Sequence, residues 1–220
     1  MKNFEDLNDL FDDDVLNDEL SLICRSQEAS FYGLYNRDKI VDFLKYFHRG
    51  NGYLEIRAIN KINGKAQSFY YESAELIDIE QLILLNEDGF GIYFGVCPRK
   101  EKRGKKESVL EIPAIWVDVD GKDHGGKEIA LKMIRETIQA KNLKPSIVVD
   151  SGNGFHLYFL FKESIEVDIR KIPYLEGHIK GVAKIFGGDS THDINRILRL
   201  PYFNNVKDPK NPKICKVMEV

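Results

Sequence analysis

Apolar and polar positions follow two different periods along the chain. Apolar residues recur every three to four positions in four segments, which predicts helices over 38–48, 73–85, 127–142 and 168–186. Alternating or short unbroken apolar runs predict strands over 53–59, 67–71, 90–96, 113–120, 147–150 and 155–161, with an extended stretch over 197–201. Helices and strands are mixed, hairpin turns are frequent and long crossovers are few. The pattern therefore predicts an α+β fold.

Composition and cysteine usage are those of an ordinary globular protein. The chain has 220 residues, 43 % hydrophobic and 30 % charged, which excludes a collagen-like, low-complexity or wholly disordered protein. Cys24, Cys97 and Cys215 are far apart and form no CxxC pair, so we expect reduced thiols, no zinc and no disulfide framework. No apolar run approaches the roughly 18 residues of a membrane span. The N-terminus is not a secretory signal, and these features favour a cytoplasmic protein without a membrane partner.

Charge is distributed unevenly. Residues 1–20 contain eight acidic residues and one lysine, a net charge of −7, and because the whole chain is −3 the remainder carries +4. We interpret residues 1–30 as an acidic tail or flexible helix and 31–220 as the folded domain. Basic residues concentrate in a loop at 99–106 and again from Arg196 to the C-terminus. A basic body with an acidic tail favours a polyanionic ligand.

Two carboxylates lie on one face of a predicted strand. Asp118 and Asp120 are two positions apart in 113–120, so their side chains share a face, with Cα atoms roughly 6–7 Å apart. Ionised carboxylates on one face repel and cannot be buried unpaired. A divalent cation such as Mg²⁺ or Mn²⁺ removes that conflict. The same pattern also fits a strand end that runs into solvent, a nuclease or a glycosyltransferase.

Two further segments place polar residues beside glycine-rich turns. His156 is the first polar side chain after Asn153-Gly154, a tight turn of the kind that needs positive φ, where the bare glycine backbone lets a nucleotide approach closely. The other segment follows a Gly-Gly helix stop; its candidate site residues are the carboxylate Asp189 and the cations Arg196, Arg199 and Lys207. Guanidinium and ammonium groups suit phosphate. Either segment alone also fits a surface turn or a solvated edge strand.

The order and spacing of these motifs resemble the archaeo-eukaryotic primase superfamily, and more closely the primase-polymerases of plasmids, phages and CRISPR-associated loci. The resemblance covers about residues 35–207 and rests on three strings: Asp118-x-Asp120, Ser151-Gly-Asn-Gly-Phe-His156, and Gly188-Asp189 leading to Arg196-Ile-Leu-Arg199-Leu-Pro201 and Asn205-Val-Lys207. It implies an RRM-like catalytic sheet, about 111–220, packed with an N-terminal α/β lobe, about 31–110.

The resemblance also implies a role for each motif residue. The catalytic residues and metal ligands would be Asp118, Asp120 and Asp189, holding two Mg²⁺ or Mn²⁺ ions. The nucleotide-binding residues would be His156, Arg199, Lys207, Ser151 and Arg99. The nucleic-acid-binding residues would be the cations of the basic loop, Arg99, Lys100, Lys102, Arg103, Lys105 and Lys106.

The sequence departs from the family pattern in three places. Gly154 stands where many members have serine, and Ser151 lies five residues before His156. Asp193 is a second acid near the third motif; we prefer Asp189 because it follows the glycine stop at the family's spacing from the arginines. Many members carry a zinc knuckle, and none is visible in this sequence.

The function that the resemblance implies is template-dependent nucleotidyl transfer, as in a DNA primase or polymerase. Nucleoside triphosphates would be joined to a 3′-hydroxyl on single-stranded or primer–template DNA by two-metal chemistry with release of pyrophosphate. Further domains, a helicase or CRISPR proteins are possible partners in a longer context. The alternatives are a metal-dependent nuclease or phosphodiesterase, and a non-catalytic nucleic-acid-binding module. Carboxylates on the strand face argue against the module, because without metal they would repel a phosphate backbone.

Overall fold

The computed structural model describes residues 35–218, and the acidic segment 1–30 lies outside that range. The described chain forms two four-stranded antiparallel sheets and one two-stranded ribbon. This mixture of antiparallel sheets and helices confirms the predicted α+β class. Among residues 35–218, no helix has both the length and the apolar composition needed to cross a bilayer.

The first sheet is built mainly from the N-terminal half of the chain. Its helices and strands are α1 (Arg37–Lys45), β1 (Leu54–Ile59), β2 (Ala66–Tyr71), α2 (Ile79–Glu87) and β3 (Gly91–Gly95), completed from the C-terminal half by β7 (Ile197–Arg199). The strand order is β2-β1-β3-β7. The Asn36 side chain accepts a hydrogen bond from the Lys39 amide and so begins α1.

The second sheet has a βαββαβ element order. It contains β4 (Glu111–Asp120), α3 (Lys127–Lys141), β5 (Ile147–Asp150), β6 (Gly154–Glu166), α4 (Ile172–Ile185) and β10 (Lys216–Met218). The strand order is β10-β5-β6-β4. Between α4 and β10 the chain also forms the small ribbon β8 (Asn204–Asn205) and β9 (Lys213–Ile214).

An aromatic cluster packs α1 between the two sheets. Phe43 on α1 lies 5.2 Å, centroid to centroid, from Phe94 on β3 of the first sheet. Phe43 also lies 6.1 Å from Tyr158 on β6 of the second sheet, and Phe47, two residues after the end of α1, lies 4.9 Å from the same ring. All four side chains are buried, so the apolar face of α1 joins the two sheets through a shared core.

The structure corrects the predicted helix 73–85. The segment contains a short 3-10 helix, Ala74–Leu76, then an extended residue, Ile77, with ψ 129°. Asp78 then accepts a hydrogen bond from the Gln81 amide and starts α2. An apolar period alone did not reveal this break, which a capping aspartate imposes within the segment.

Candidate active site

The central feature of the site is a pair of residues that face each other across β4 and β6. The strand register sets Asp118 opposite His156 and Asp120 opposite Gly154. Nε2 of His156 lies 3.7 Å from a carboxylate oxygen of Asp118. The Asp118 side chain is 27 % exposed and that of His156 only 4 %, so the carboxylate faces the opening and the imidazole lies behind it.

Glycines in the turn between β5 and β6 make this register possible. The positive φ is at Gly152, 93°, a conformation that favours glycine, and not in the predicted Asn153-Gly154 pair. Gly154 has a different reason to be glycine, since a Cβ there would clash with the backbone oxygen of Val119 on the neighbouring strand. A serine therefore has no room at position 154. Ser151 instead lies on the turn and lines the cavity.

The third carboxylate reaches the other two through a backbone contact. The Asp189 amide donates a hydrogen bond of 2.7 Å to the backbone oxygen of Asp118. Trp116, on the same strand face, donates from its indole nitrogen to the Thr191 carbonyl at 2.8 Å. The structure thus brings Asp189 to the end of β4, beside Asp118 and Asp120. The other acid, Asp193, is bound by Lys106 and Arg196.

The carboxylates perturb one another electrostatically. Desolvation, together with the charge of Asp120, raises the pKa of Asp118 to about 6. Desolvation and the neighbouring carboxylates, Asp118 first, also raise the pKa of Asp189. Desolvation acts in the same sense on Asp120, but hydrogen bonds from Lys122 outweigh it and lower the pKa of that group. Crowded carboxylates with raised pKa values are typical of sites that hold cations.

The carboxylates at the end of β4 do not by themselves form a complete set of metal ligands. Within residues 35–218, no group of three His, Cys, Asp or Glu side chains is placed so that it could hold a metal ion. The Asp120 carboxylate is paired with Nζ of Lys122 at 2.9 Å. The available donors are carboxylate oxygens, which is the donor chemistry that Mg²⁺ and Mn²⁺ prefer.

A cavity of about 170 Å³ opens beside the carboxylates. Its walls combine predicted site residues with residues that sequence reasoning missed. The predicted ones are Asp118, Asp120, Ser151, His156, Arg199 and Lys207. The missed polar ones are Lys61, Tyr93, Asn153 and Asn205. The cavity therefore lies between the two sheets, with carboxylates on one side. The cations on the other side come from β7, the segment after β8 and the β1–β2 turn.

Each cation of the cavity is positioned by a neighbouring polar or aromatic group. Arg199 faces Tyr93 across β7 and β3, and its guanidinium lies 4.9 Å from the centroid of the tyrosine ring. The Lys207 amide donates to the Asn205 side chain at 3.0 Å, and Asn205 in turn donates to the Ser151 carbonyl at 2.7 Å. Lys207 is thus tied to the turn that precedes His156.

The histidine of the site is neutral. Burial lowers the pKa of His156 to about 3, and the positive charge of Arg199 acts in the same direction. The Tyr158 hydroxyl lies 3.4 Å from Nδ1 of the same imidazole. The 3.7 Å approach to Asp118 is therefore a contact of a neutral ring with a carboxylate, and it is too long for a hydrogen bond.

The structure does not bring Arg99 to the cavity. The Arg99 side chain is fully buried and forms an ion pair with Glu55, with Nη2 2.7 Å from a carboxylate oxygen. The same nitrogen donates to the Asn195 carbonyl at 3.0 Å. Although its neighbours in sequence are exposed cations, Arg99 is turned inward by a buried partner on β1. In this position it joins the first sheet to the segment that leads into β7.

The rest of the basic loop divides into paired and exposed cations. Lys106 is engaged with Glu176 at 2.7 Å and Asp193 at 2.9 Å. The exposed members are Lys100, Lys102, Arg103 and Lys105, of which Arg103 also pairs with Glu101 at 3.2 Å. Lys102 lies 5.3 Å from the centroid of the Tyr53 ring.

Comparison with known proteins identifies the fold. No protein-family profile matches the chain. The catalytic domain of primase RepB′, solved in complex with initiator DNA, superposes with a TM-score of 0.58 at 18 % identity over 83 % of this chain and 84 % of that one. A second structure of primase RepB′ gives 0.55 at 14 % identity, over 82 % of this chain and 56 % of that chain. The described chain thus has the fold of a primase catalytic domain, which confirms the fold that the motif resemblance implies.

One curated protein is similar in sequence to this chain. It is the uncharacterized protein MJECL28 of Methanocaldococcus jannaschii, 28 % identical in an alignment 243 positions long that covers 92 % of this chain. The chain spans only 18 % of the length of that relative.

Proposed function

We propose that this chain is a DNA-directed nucleotidyltransferase, a primase or polymerase, which joins nucleoside triphosphates to a 3′-hydroxyl. The observation that carries the proposal is the composition of one cavity. Asp118 and Asp120 line one side, where a backbone hydrogen bond ties Asp189 to Asp118, and cations that form no ion pair within residues 35–218 line the other. Attack of a 3′-hydroxyl on a nucleoside triphosphate needs both sides of the cavity. Metal-binding oxygens must face the phosphate that is attacked, and cations must hold the leaving pyrophosphate.

The carboxylates Asp118, Asp120 and Asp189 would hold the divalent ions. Their negative charges act on one another and, after desolvation, contribute to the raised pKa values of Asp118 and Asp189. Lys122 neutralises Asp120 in the structure and would give up that carboxylate to an ion. When bound, Mg²⁺ or Mn²⁺ would activate the attacking hydroxyl and neutralise charge on the triphosphate.

His156, Arg199 and Lys207 would bind the phosphates. If the Tyr158 hydroxyl donates to Nδ1 of His156, the remaining proton is on Nε2, which faces the cavity and can donate to a phosphate oxygen. Because the imidazole is neutral, it would orient the phosphate through this hydrogen bond without adding a positive charge. Arg199, whose guanidinium lies over the Tyr93 ring, offers a planar fork of donors, and Lys207 offers a point charge.

The exposed cations of the basic loop would bind the DNA backbone. Lys100, Lys102, Arg103 and Lys105 are exposed and adjacent in sequence, and phosphate contacts of this kind carry no base specificity. The fold shared with a primase that was solved with initiator DNA supports DNA as the template.

Extension of a 5′-labelled primer on a DNA template, with Mg²⁺ or Mn²⁺ and nucleoside triphosphates, tests the proposal. We expect lengthened products from the wild type and a loss of about 100-fold or more for D118N/D120N. The matched control is D42N, which neutralises an exposed aspartate on α1. Equal extension by D118N/D120N, or shortening of the primer without nucleotides, would overturn the proposal; the second result would indicate a nuclease. Repeating the assay on unprimed single-stranded DNA separates a primase from a polymerase.

A further inference from the structure

Lys61 reaches the cavity from an element that the motifs do not include. It lies in the turn between β1 and β2 and lines the cavity together with Arg199 and Lys207. The turn is shaped by the buried Asn60, whose side-chain oxygen accepts hydrogen bonds from the amides of Ile62 at 3.0 Å and Asn63 at 3.2 Å. Because Asn60 fixes the turn, the position of the Lys61 backbone is set before any ligand binds.

The three cations Lys61, Arg199 and Lys207 share one wall of the cavity. None of them forms an ion pair with any acidic residue of the described range 35–218. Desolvation, then the charges of Arg199 and Lys207, lowers the pKa of Lys61. Like charges gathered on one cavity wall are unfavourable until an anion joins them, and an anion with several charges is favoured most.

The strand register gives an order along this wall. Arg199 faces Tyr93, and its Nη1 lies 3.2 Å from where a Cβ on Gly91 would be. Gly91 pairs with Ile59, two residues before Lys61, so the guanidinium extends toward the turn that carries Lys61. Arg199 also acts electrostatically on Asp118 and on Lys61, so it stands between the carboxylates and Lys61.

We infer that Lys61 binds the terminal phosphate of the incoming nucleotide and makes the site selective for nucleoside triphosphates over diphosphates and monophosphates. The inference depends on the proposed function, in which the α-phosphate lies at the carboxylates. A triphosphate that starts there and passes Arg199 and Lys207 ends at Lys61. A monophosphate does not extend that far.

Equilibrium binding of a nucleoside triphosphate with a non-hydrolysable α–β bridge, and of the matching di- and monophosphates, tests the inference. The variants are K61A and K61Q, with K65A as the control, because Lys65 belongs to the same hairpin but does not line the cavity. We expect K61A and K61Q to weaken triphosphate binding about tenfold. Binding of the monophosphate should not change, and K65A should behave as the wild type.

The outcomes separate the inference from its premise. If the wild type binds the triphosphate but K61A and K61Q bind it equally well, or lose all three nucleotides by the same factor, the role of Lys61 is wrong and the proposed function stands. If the wild type binds none of the nucleotides in the presence of Mg²⁺ or Mn²⁺, the proposed function itself is wrong.

Discussion

The backbone amide of Asp189 donates a 2.7 Å hydrogen bond to the carbonyl oxygen of Asp118. This bond joins the segment after α4 to β4 and places a third carboxylate beside the pair that the strand already presents. The approach is possible because the preceding residue is Gly188, where a Cβ would clash with the Val117 side chain. The site thus depends on a glycine as much as on its acids.

Replacing Gly188 with alanine should damage the site. The added methyl group would push the segment 187–189 away from β4, so we expect about a 100-fold loss of primer extension and a loss of about 1–3 kcal/mol in the free energy of unfolding. G181A is the control, since a Cβ at that helical glycine meets nothing within 4 Å and should stabilise the protein by about 0.5–1 kcal/mol. Undiminished extension by G188A would contradict the role assigned to Asp189.

The ring of Tyr93 should matter more than its hydroxyl. The guanidinium of Arg199 lies over the ring at 4.9 Å from its centroid, a cation–π contact. We expect Y93F to bind nucleotide as the wild type does and Y93L to bind it more weakly, by about 0.5–1 kcal/mol. The dissociation constant of the non-hydrolysable triphosphate measures this. A loss in Y93F equal to that in Y93L would show that the hydroxyl carries the effect.

Glu55 and Arg99 should act as a structural pair. Replacing Glu55 with glutamine leaves a fully buried guanidinium without its counter-charge, which we expect to lower the free energy of unfolding by about 3–5 kcal/mol. The double variant E55L/R99M removes both charges and should be more stable than E55Q. Urea unfolding measures both, with E163Q, at an exposed position near the C-terminal end of β6, as control. If E55Q unfolds as the wild type does, the pair contributes nothing to stability.

The basic loop should determine how DNA binding responds to salt. Removing one cation that binds a phosphate should reduce the slope of log affinity against log salt concentration by about 1. We therefore expect K100A, K102A and K105A to weaken binding to all DNA sequences and to flatten the salt dependence stepwise as they are combined. K132A, on the exposed face of α3, should leave the slope unchanged. An unchanged slope in the triple loop variant would place the DNA elsewhere on the surface.

Two buried cysteines should be inert to thiol reagents. Burial raises the pKa of Cys97 and of Cys215 to about 12, so both thiols stay protonated at neutral pH, and the thiolate fraction grows only as the pH approaches that value. In a C24S variant, which removes the third cysteine, we expect no reaction with a disulfide reagent at pH 8 until the protein is unfolded. Rapid labelling of the folded variant would contradict this burial.

Much of the carboxylate site follows from local sequence. Strand alternation places Asp118 and Asp120 on one face, and the structure has them there on β4. The motif order also leads to Asp189, although the hydrogen bond to Asp118 could not be derived, because it depends on how α4 packs against β4. The turn glycines were expected, but the reason for Gly154 is a close approach between neighbouring strands, which local patterns do not reveal.

The cation wall was less predictable, because it is made by residues distant in sequence. Nothing near Lys61 distinguishes it from other hairpin lysines. Tyr93 gives a weak signal in the sequence, because strand alternation puts its side chain on the opposite face from Ile92 and Phe94. In the structure Tyr93 is partly exposed and both neighbours are buried. Arg99 resembles the exposed cations that follow it, and only its pairing with Glu55, 44 residues earlier in the chain, turns it inward.

The crossing of the C-terminal segment between the sheets has a consequence for how such a protein can be divided. After α4 the chain supplies the edge strand β7 to the first sheet, and then returns to pair β10 with β5 of the second sheet. A cut near residue 110 would separate the N-terminal half from the strand that carries Arg199. Neither half can therefore be expected to work as an exchangeable module, and recombination within this region would have to exchange the whole domain.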